Sequence, residues 1–432
     1  MKRISIFAWI ISVSLCSMVW AQPNTLPRVK SRPPRHPDIN HAGRATHLGG
    51  YNFVSQAKPN CSNKVWELGT YPGGTWAALG DINDYGIAVG TGDVPPLGPD
   101  GVGETHPLAV SLFGPHAGEW IDLGTLGQAT HDWEEPINTI SNTGLIVGHS
   151  TTAEGYEHGF VWSEKTGIVD LGTLAAAGYP AYKASWATAI NRSGTLIVGW
   201  SGVELACLDC APALPVVWTP LQVWKHGQLV TKWKVHKLDT AAFPDLVRWY
   251  SFSVNDFGQI ISIAWNDEET VGVPILWNQR PDGKSWKAMA LPQDPDNPYI
   301  LPFSINNRGE IAGSSAPADW SNWFPRFWKP LDHARKTYSL PLALALPEGY
   351  SAGGYADGIN DFGDITGQIW GDAPDAPAAR WNTKNPSFVE SLGFPGDWSW
   401  SFSLNNSRIA VITYGGGSCA GASCGGAIRF TD

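Results

Sequence analysis

One short phrase, written seven times, constrains this chain more than any other feature of its sequence. It first appears at Ile82–Gly90 as INDYGIAVG and returns at Ile140–Gly148, Ile190–Gly199, Val254–Ile260, Ile305–Gly313 and Ile359–Gly367. A worn copy, LNNSRIAV, occupies Leu404–Val411. The repeat position is Asn83, Ser141, Asn191, Asn255, Asn306, Asn360 and Asn405, which gives a mean period of about 54 residues. Each copy reads as strand, tight turn, strand. Gly supplies the positive φ that such a turn needs, Asn or Asp tolerates it, and the flanks are β-branched and apolar.

Two further phrases accompany the hairpin. One is built on Leu-Gly-Thr: Trp66–Thr70, Ile121–Leu126, Val169–Leu174 and, more weakly, His236–Thr240 and Ser391–Gly393. It is read here as the strand before each hairpin. The other ends in an aromatic and follows the hairpin: His158–Trp162, Pro215–Trp218, Pro274–Trp277, Pro325–Trp328, Ala378–Trp381 and Ala427–Phe430. Four strands per unit and seven units predict an all-β chain, a seven-bladed β-propeller of four-stranded antiparallel blades over 59–432. No long stretch carries helical apolar spacing free of Gly and Pro; the 48 Gly and 33 Pro fall mostly between the apolar runs.

The start of the chain is different. Residues 1–21 read as a secretory signal: Lys2 and Arg3, then an apolar run from Ile4 to Val19, then Val19-Trp20-Ala21. An uncleaved anchor is the alternative; no later stretch is long and apolar enough to span a bilayer. Residues 22–58 form a Pro/Arg-rich linker, either a spacer or a tether for an acidic surface. Within it, Tyr51–Val54 is a candidate strand to pair beside Ala427–Phe430 and shut the ring. The expected location is secreted, periplasmic or cell-surface. A net charge of −10 argues against nucleic-acid partners.

Five cysteines follow the signal. Cys207 with Cys210, and Cys419 with Cys424, read as two local disulfides in an oxidising compartment. The same four could hold zinc. Cys61 is left over.

Residues Ile121–Gly127, Ile140–Ser150 and His158–Trp162 together resemble the extracellular HAF repeat, named for a His-Ala-Phe triplet. The resemblance extends over about Trp66–Phe430 and is weakest where Ser262 and Arg408 replace glycines of the pattern. It implies a bacterial exported repeat protein. It implies no reaction and supplies no catalytic motif. Its histidine is met at His158, read as fixing blade geometry, and more loosely at His106.

Tryptophan is over-represented, 23 in all. Trp76, Trp133, Trp186, Trp249, Tyr355, Trp398 and Trp400 recur ahead of the repeat Asn, near one end of an inner strand. Two roles compete: packing between neighbouring sheets, or a ring of platforms for a sugar or other flat ligand. The cluster His131, Glu134, Glu135 with His149 could supply a base and an acid. The resulting expectation is a recognition propeller binding a glycan or a surface protein at the channel mouth, with no cofactor and no metal. A polysaccharide lyase or hydrolase using the His/Glu cluster, and a ligand-free scaffold, are the alternatives.

Overall fold

The computed structural model describes residues 65–98, 101, 103–127, 138–203, 212–225, 228–373, 375–392, 394, 397–417, 419 and 422–430. The signal, the linker, Cys61, Cys207, Cys210, His131, Trp133, Glu134 and Glu135 lie outside these residues.

The chain is all-β, as the repeat predicts, and its sheets are antiparallel within each group of four strands. Strand β1 spans Val65–Gly69. The first sheet holds β2 (Ala77–Ile82), β3 (Ile87–Val94), β4 (Glu104–Ser111) and β5 (Trp120–Asp122). The second holds β6 (Thr139–Ile140), β7 (Ile146–Thr151), β8 (Glu157–Ser163) and β9 (Gly167–Asp170). Next come β10 (Ala184–Ile190), β11 (Ile197–Gly202), β12 (Ala213–Lys225) and β13 (Gln228–Lys237), then β14 (Arg248–Val254), β15 (Ile260–Trp265), β16 (Gly272–Gln279) and β17 (Trp286–Ala290). A single parallel pair, Ala213 with Arg248, joins these two groups, so among the described residues hydrogen bonding counts six sheets, one of them eight-stranded. Beyond it lie β18 (Tyr299–Ile305), β19 (Ile311–Ala316), β20 (Phe324–Trp328) and β21 (Leu342–Ala343), and after them β22 (Gly353–Ile359), β23 (Asp364–Trp370), β24 (Ala378–Asn382) and β25 (Asn385–Ser391). The last sheet is β26 (Trp398–Trp400), β27 (Ile409–Gly415), β28 (Cys424–Arg429) and, on its outer edge, β1.

The position of β1 corrects the assumed order of strands. Trp66 pairs with Ala427, so the Leu-Gly-Thr phrase at the start of the chain completes the last sheet. Likewise Ile121 pairs with Ala109 and Val169 with Val161, placing those phrases on the outer edge of the preceding sheet. The unit therefore begins at the hairpin. The two ends of the described chain meet, but the edge beside Ala427 is taken by Val65–Gly69 and not by the expected Tyr51–Val54, which lies outside the described residues.

The core lies between sheets. Ile87 and Val89 of the first sheet pack with Ile140, Ile146 and Phe160 of the second. Val217 packs with Trp249 and Trp277, Leu276 with Ile300 and Trp328, and Phe327 with Ile365 and Trp381. The last contact returns to the beginning: Ile409 and Val411 pack with Leu79, Ile82 and Val110. No sheet could bury both faces alone, so the propeller-like arrangement follows from the repeat itself. The tryptophans of the third strands, Trp218, Trp277, Trp328 and Trp381, are fully buried in these wedges. Trp328 and Trp381 donate their Nε1–H to loop carbonyls of Pro292 and Ala345, at 3.0 and 2.6 Å. Each such ring withdraws on the order of 3 kcal/mol of apolar surface from water.

Candidate functional site at the two ends of the inner strands

The repeat Asn does two jobs with one side chain. Asn83 Oδ1 accepts from the N–H of Tyr85 and of Ile87, at 3.1 and 3.0 Å, and so shapes its own turn. Its Nδ2 donates to Ser141 O of the next turn at 3.2 Å. Asn255 donates to Asn306 O, Asn306 to Asn360 O, Asn360 to Asn405 O, and Asn405 back to Asn83 O at 2.8 Å. The departures are local. Ser141 has no amide, and there Asn142 N donates to Arg192 O instead. The third turn has one extra residue, and Asn191 spends its amide on Ser193 and Thr195. Ser193 N then reaches Asp256 Oδ1 at 2.8 Å, so the circuit of turns is unbroken.

The residue after the repeat Asn forms a second circuit on the solvent side of the first. Asp84, Asn142, Asp256, Asn307, Asp361 and Asn406 alternate carboxylate and amide. Backbone N–H groups feed the neighbouring side chain: Asp84 N to Asn142, Asp256 N to Asn307, Asn307 N to Asp361, Asp361 N to Asn406, and Asn406 N to Asp84. Arg192 is the cation in this series. Its guanidinium donates to Asp84 Oδ1 at 3.2 Å and to Leu404 O at 3.3 Å, crossing from the third turn to the first and the last. This end of the ring is therefore bridged by a guanidinium.

Just inside it lies Asp81. A β-bulge between Leu79 and Asp81 turns its carboxyl toward the neighbours, and equivalent bulges recur in β10, β14, β18 and β22. Asp81 accepts from Ile140 N at 2.9 Å and from Ser403 Oγ at 2.6 Å. Burial raises its pKa above the usual carboxylate range, against the opposing pull of those two hydrogen bonds and of Arg192.

The opposite end of the inner strands is aromatic. Trp76, Trp186, Trp249, Tyr355 and Trp400 all lie at that end and all are buried. Trp186 stacks on Trp200 with centroids 5.7 Å apart, and Tyr355 stacks on Trp400 at 5.4 Å. Trp400 Nε1 donates to Asp357 Oδ2 at 2.7 Å. Trp398 is half-buried on β26. These rings pack against one another and against neighbouring strands, so the aromatics open to solvent are others. Phe252, Tyr299, Phe303, Trp320, Trp370 and Phe402 are half-buried along the last four groups of strands. Trp320, in the loop between β19 and β20, lies 4.0 Å from Tyr299 between centroids and 5.6 Å from Trp323. Its φ of 59° is in the left-handed region, which a bulky side chain rarely adopts. Asp319, beside it, is exposed and holds Ser321 N at 3.0 Å.

His149 is half-buried on β7, opposite Gly159. Among the described residues, no group of three or more His, Cys, Asp or Glu is placed to hold a metal. Cys419 and Cys424 form a disulfide beside β28. His158 Nδ1 pairs with Asp170 at 2.8 Å across β8 and β9, and His106 Nδ1 with Asp122 at 2.7 Å across β4 and β5. Those pairs tie the histidine of one phrase to the aspartate of the Leu-Gly-Thr phrase. The sequence carries a visible signal for Arg192, a cation inside a repeated Asp/Asn position. It carries none for Trp320, which lies between repeat phrases.

No family model matches the chain, and no curated protein matches it. Solved structures do. An acylaminoacyl peptidase from Pyrococcus horikoshii aligns at 9% identity and a TM-score of 0.47 over 81% of this chain and 50% of its own. TolB from Acinetobacter baumannii aligns at 9% and 0.39 over 70% and 62%. A Trypanosoma rangeli sialidase in complex with 2,3-difluorosialic acid aligns at 13% and 0.40 over 73% and 56%. The chain spans less than two thirds of each, and at these scores the likenesses carry no argument about activity or site.

Proposed function

We propose that this chain is an exported recognition protein, a seven-bladed β-propeller that binds an uncharged glycan on its aromatic face. The blade count rests on the seven hairpins and on the grouping of strands by four, with the parallel pair Ala213–Arg248 read as a contact between adjacent blades. The HAF resemblance and the signal-like start favour export. The choice of face rests on the bridging of the other end by Arg192.

One observation carries the ligand class: Trp320, half-buried and held at positive φ, packed at a tilt against Tyr299. Keeping a large aromatic in a strained backbone conformation costs about 1–2 kcal/mol, and such strain gathers at binding sites. A flat indole beside a tyrosine suits the C–H face of a sugar ring. The exposed Asp319 and the net charge of −10 weigh against an anionic sugar. The test is a panel of neutral and acidic glycans, read for binding and for released product, with wild type and Trp320→Ala. The expected result is binding of a neutral glycan, weakened about tenfold in the variant. Absence of sugar binding, or an unchanged variant, would overturn the proposal. Released product would favour an enzyme instead.

A further inference from the structure

The hairpin β12–β13 is longer than the sheet it belongs to. Strand β11 pairs with β12 only as far as Trp218, whereas β12 and β13 stay paired out to Lys225 with Gln228. Residues Thr219–Lys225 therefore extend past the sheet by roughly 20 Å, at about 3.3 Å per residue. Exposed apolar side chains stand on both faces of this projection. Trp224 is 77% exposed, Leu229 53% and Leu221 49%. Trp224 and Leu229 are direct cross-strand partners, so they share one face near the tip. Gln222 and Thr231 follow on that face and bond to each other at 3.0 Å.

The charge is as lopsided as the hydrophobicity. From Pro212 to Leu238 the sequence has no Asp or Glu and holds four lysines, in a chain whose net charge is −10. Lys232 and Lys234 are exposed on β13. The screening length at physiological salt is about 8 Å, so a tip roughly 20 Å out escapes most of the body's negative field. Lys232 and Lys234 lie on the face opposite Trp224 and Leu229, and an exposed tryptophan and leucine at the tip backed by lysines is a composition that settles at the boundary between headgroups and acyl chains.

We infer that this hairpin docks the protein tip-first on a lipid surface carrying anionic headgroups, with Trp224 and Leu229 entering the interface on one face and Lys232 and Lys234, on the opposite face with Leu221, meeting the headgroups. The inference is independent of the glycan site.

The test is co-sedimentation of the full chain with vesicles of phosphatidylcholine alone and of phosphatidylcholine containing about one-third phosphatidylglycerol, at low and high salt. Wild type is expected to pellet with the anionic vesicles and to be released by salt. Trp224→Ala with Leu229→Ala, and separately Lys232→Glu with Lys234→Glu, are each expected to weaken binding at least about tenfold. All four positions are exposed, and an unchanged thermal midpoint checks that both variants are folded. Failure of wild type to pellet, equal pelleting with neutral vesicles, or undiminished binding by either variant would overturn the inference.

Discussion

Arg192, on the third hairpin turn, holds Asp84 of the first at 3.2 Å and bonds Leu404 O of the last at 3.3 Å. The third unit is thereby tied through one side chain to the first and the last, which adjoin each other but not the third. Both charged groups are about a quarter exposed, so the ion pair alone contributes no more than about 1 kcal/mol. The bond to Leu404 adds about as much again. Arg192→Ala is expected to lower stability by about 1–2 kcal/mol in urea unfolding. A double-mutant cycle with Asp84→Asn is expected to return a coupling of about 0.5–1 kcal/mol that shrinks with salt. A salt-independent coupling near zero would remove Arg192 as a strut.

Asn405 is the strictest case of the repeated amide. It is fully buried, accepts from Ser407 N and Ile409 N, and donates to Asn83 O, joining the last turn to the first. Asp in its place keeps the two acceptor bonds, loses the donor, and sets a carboxylate against a carbonyl oxygen. Asn405→Asp is expected to cost about 3 kcal/mol, more than Asn142→Asp on the partly exposed outer circuit. Paired denaturation curves decide it. Equal losses at the two positions would mean the inner circuit has no special part in closing the ring.

Much of this was legible because the turn phrase carries its own mechanism. Asn with Gly three residues later announces a hairpin, and its recurrence announces neighbours. Even the worn copy keeps the geometry. Arg408 stands where Gly does elsewhere and takes φ 59°, held by Asp364 at 3.1 Å and lying over the Phe362 ring. Strand order was less legible. A phrase such as Val169–Leu174 reads the same whether it opens one sheet or closes another, and only the pairing of Val169 with Val161 decides. Trp186 and Trp249 show a deeper limit. Tryptophan is equally suited to filling a wedge and to meeting a ligand, and burial is a tertiary property that spacing does not encode. The overlong β12–β13 hairpin left one trace, the widened gap between Asn191 and Asn255.

The two histidine–aspartate pairs predict a pH dependence. Burial pushes the His106 pKa down, but the hydrogen bond and charge of Asp122, with help from Glu104, carry it above the ordinary value. Burial likewise lowers His158, and Asp170 and the bond to Lys183 O outweigh it. A histidine whose folded pKa is raised binds its proton more tightly when folded. Its contribution is complete below the unfolded value of about 6.5 and is lost as pH rises through the folded one. Stability is expected to fall over that alkaline-going window. The fall should diminish in a variant carrying His106→Gln and His158→Gln, measured by urea midpoints across pH. An unchanged slope in that variant would exclude these pairs as its source.

The strain at Trp320 can be separated from the packing of its ring. Both Trp320→Ala and Trp320→Gly remove the indole that stacks on Trp265, tilts against Tyr299 and meets Trp323 edge-on. They differ only in backbone preference. Alanine must adopt the same positive φ, while glycine reaches it freely and also loosens the unfolded chain. If the left-handed conformation is native and strained, the glycine variant is the more stable of the two by about 1 kcal/mol in thermal unfolding. If the loop instead relaxes once the indole is gone, alanine equals or exceeds glycine. That outcome would place the cause of the positive φ in the stacking itself, with the ring pulling the backbone into a shape the loop does not otherwise hold.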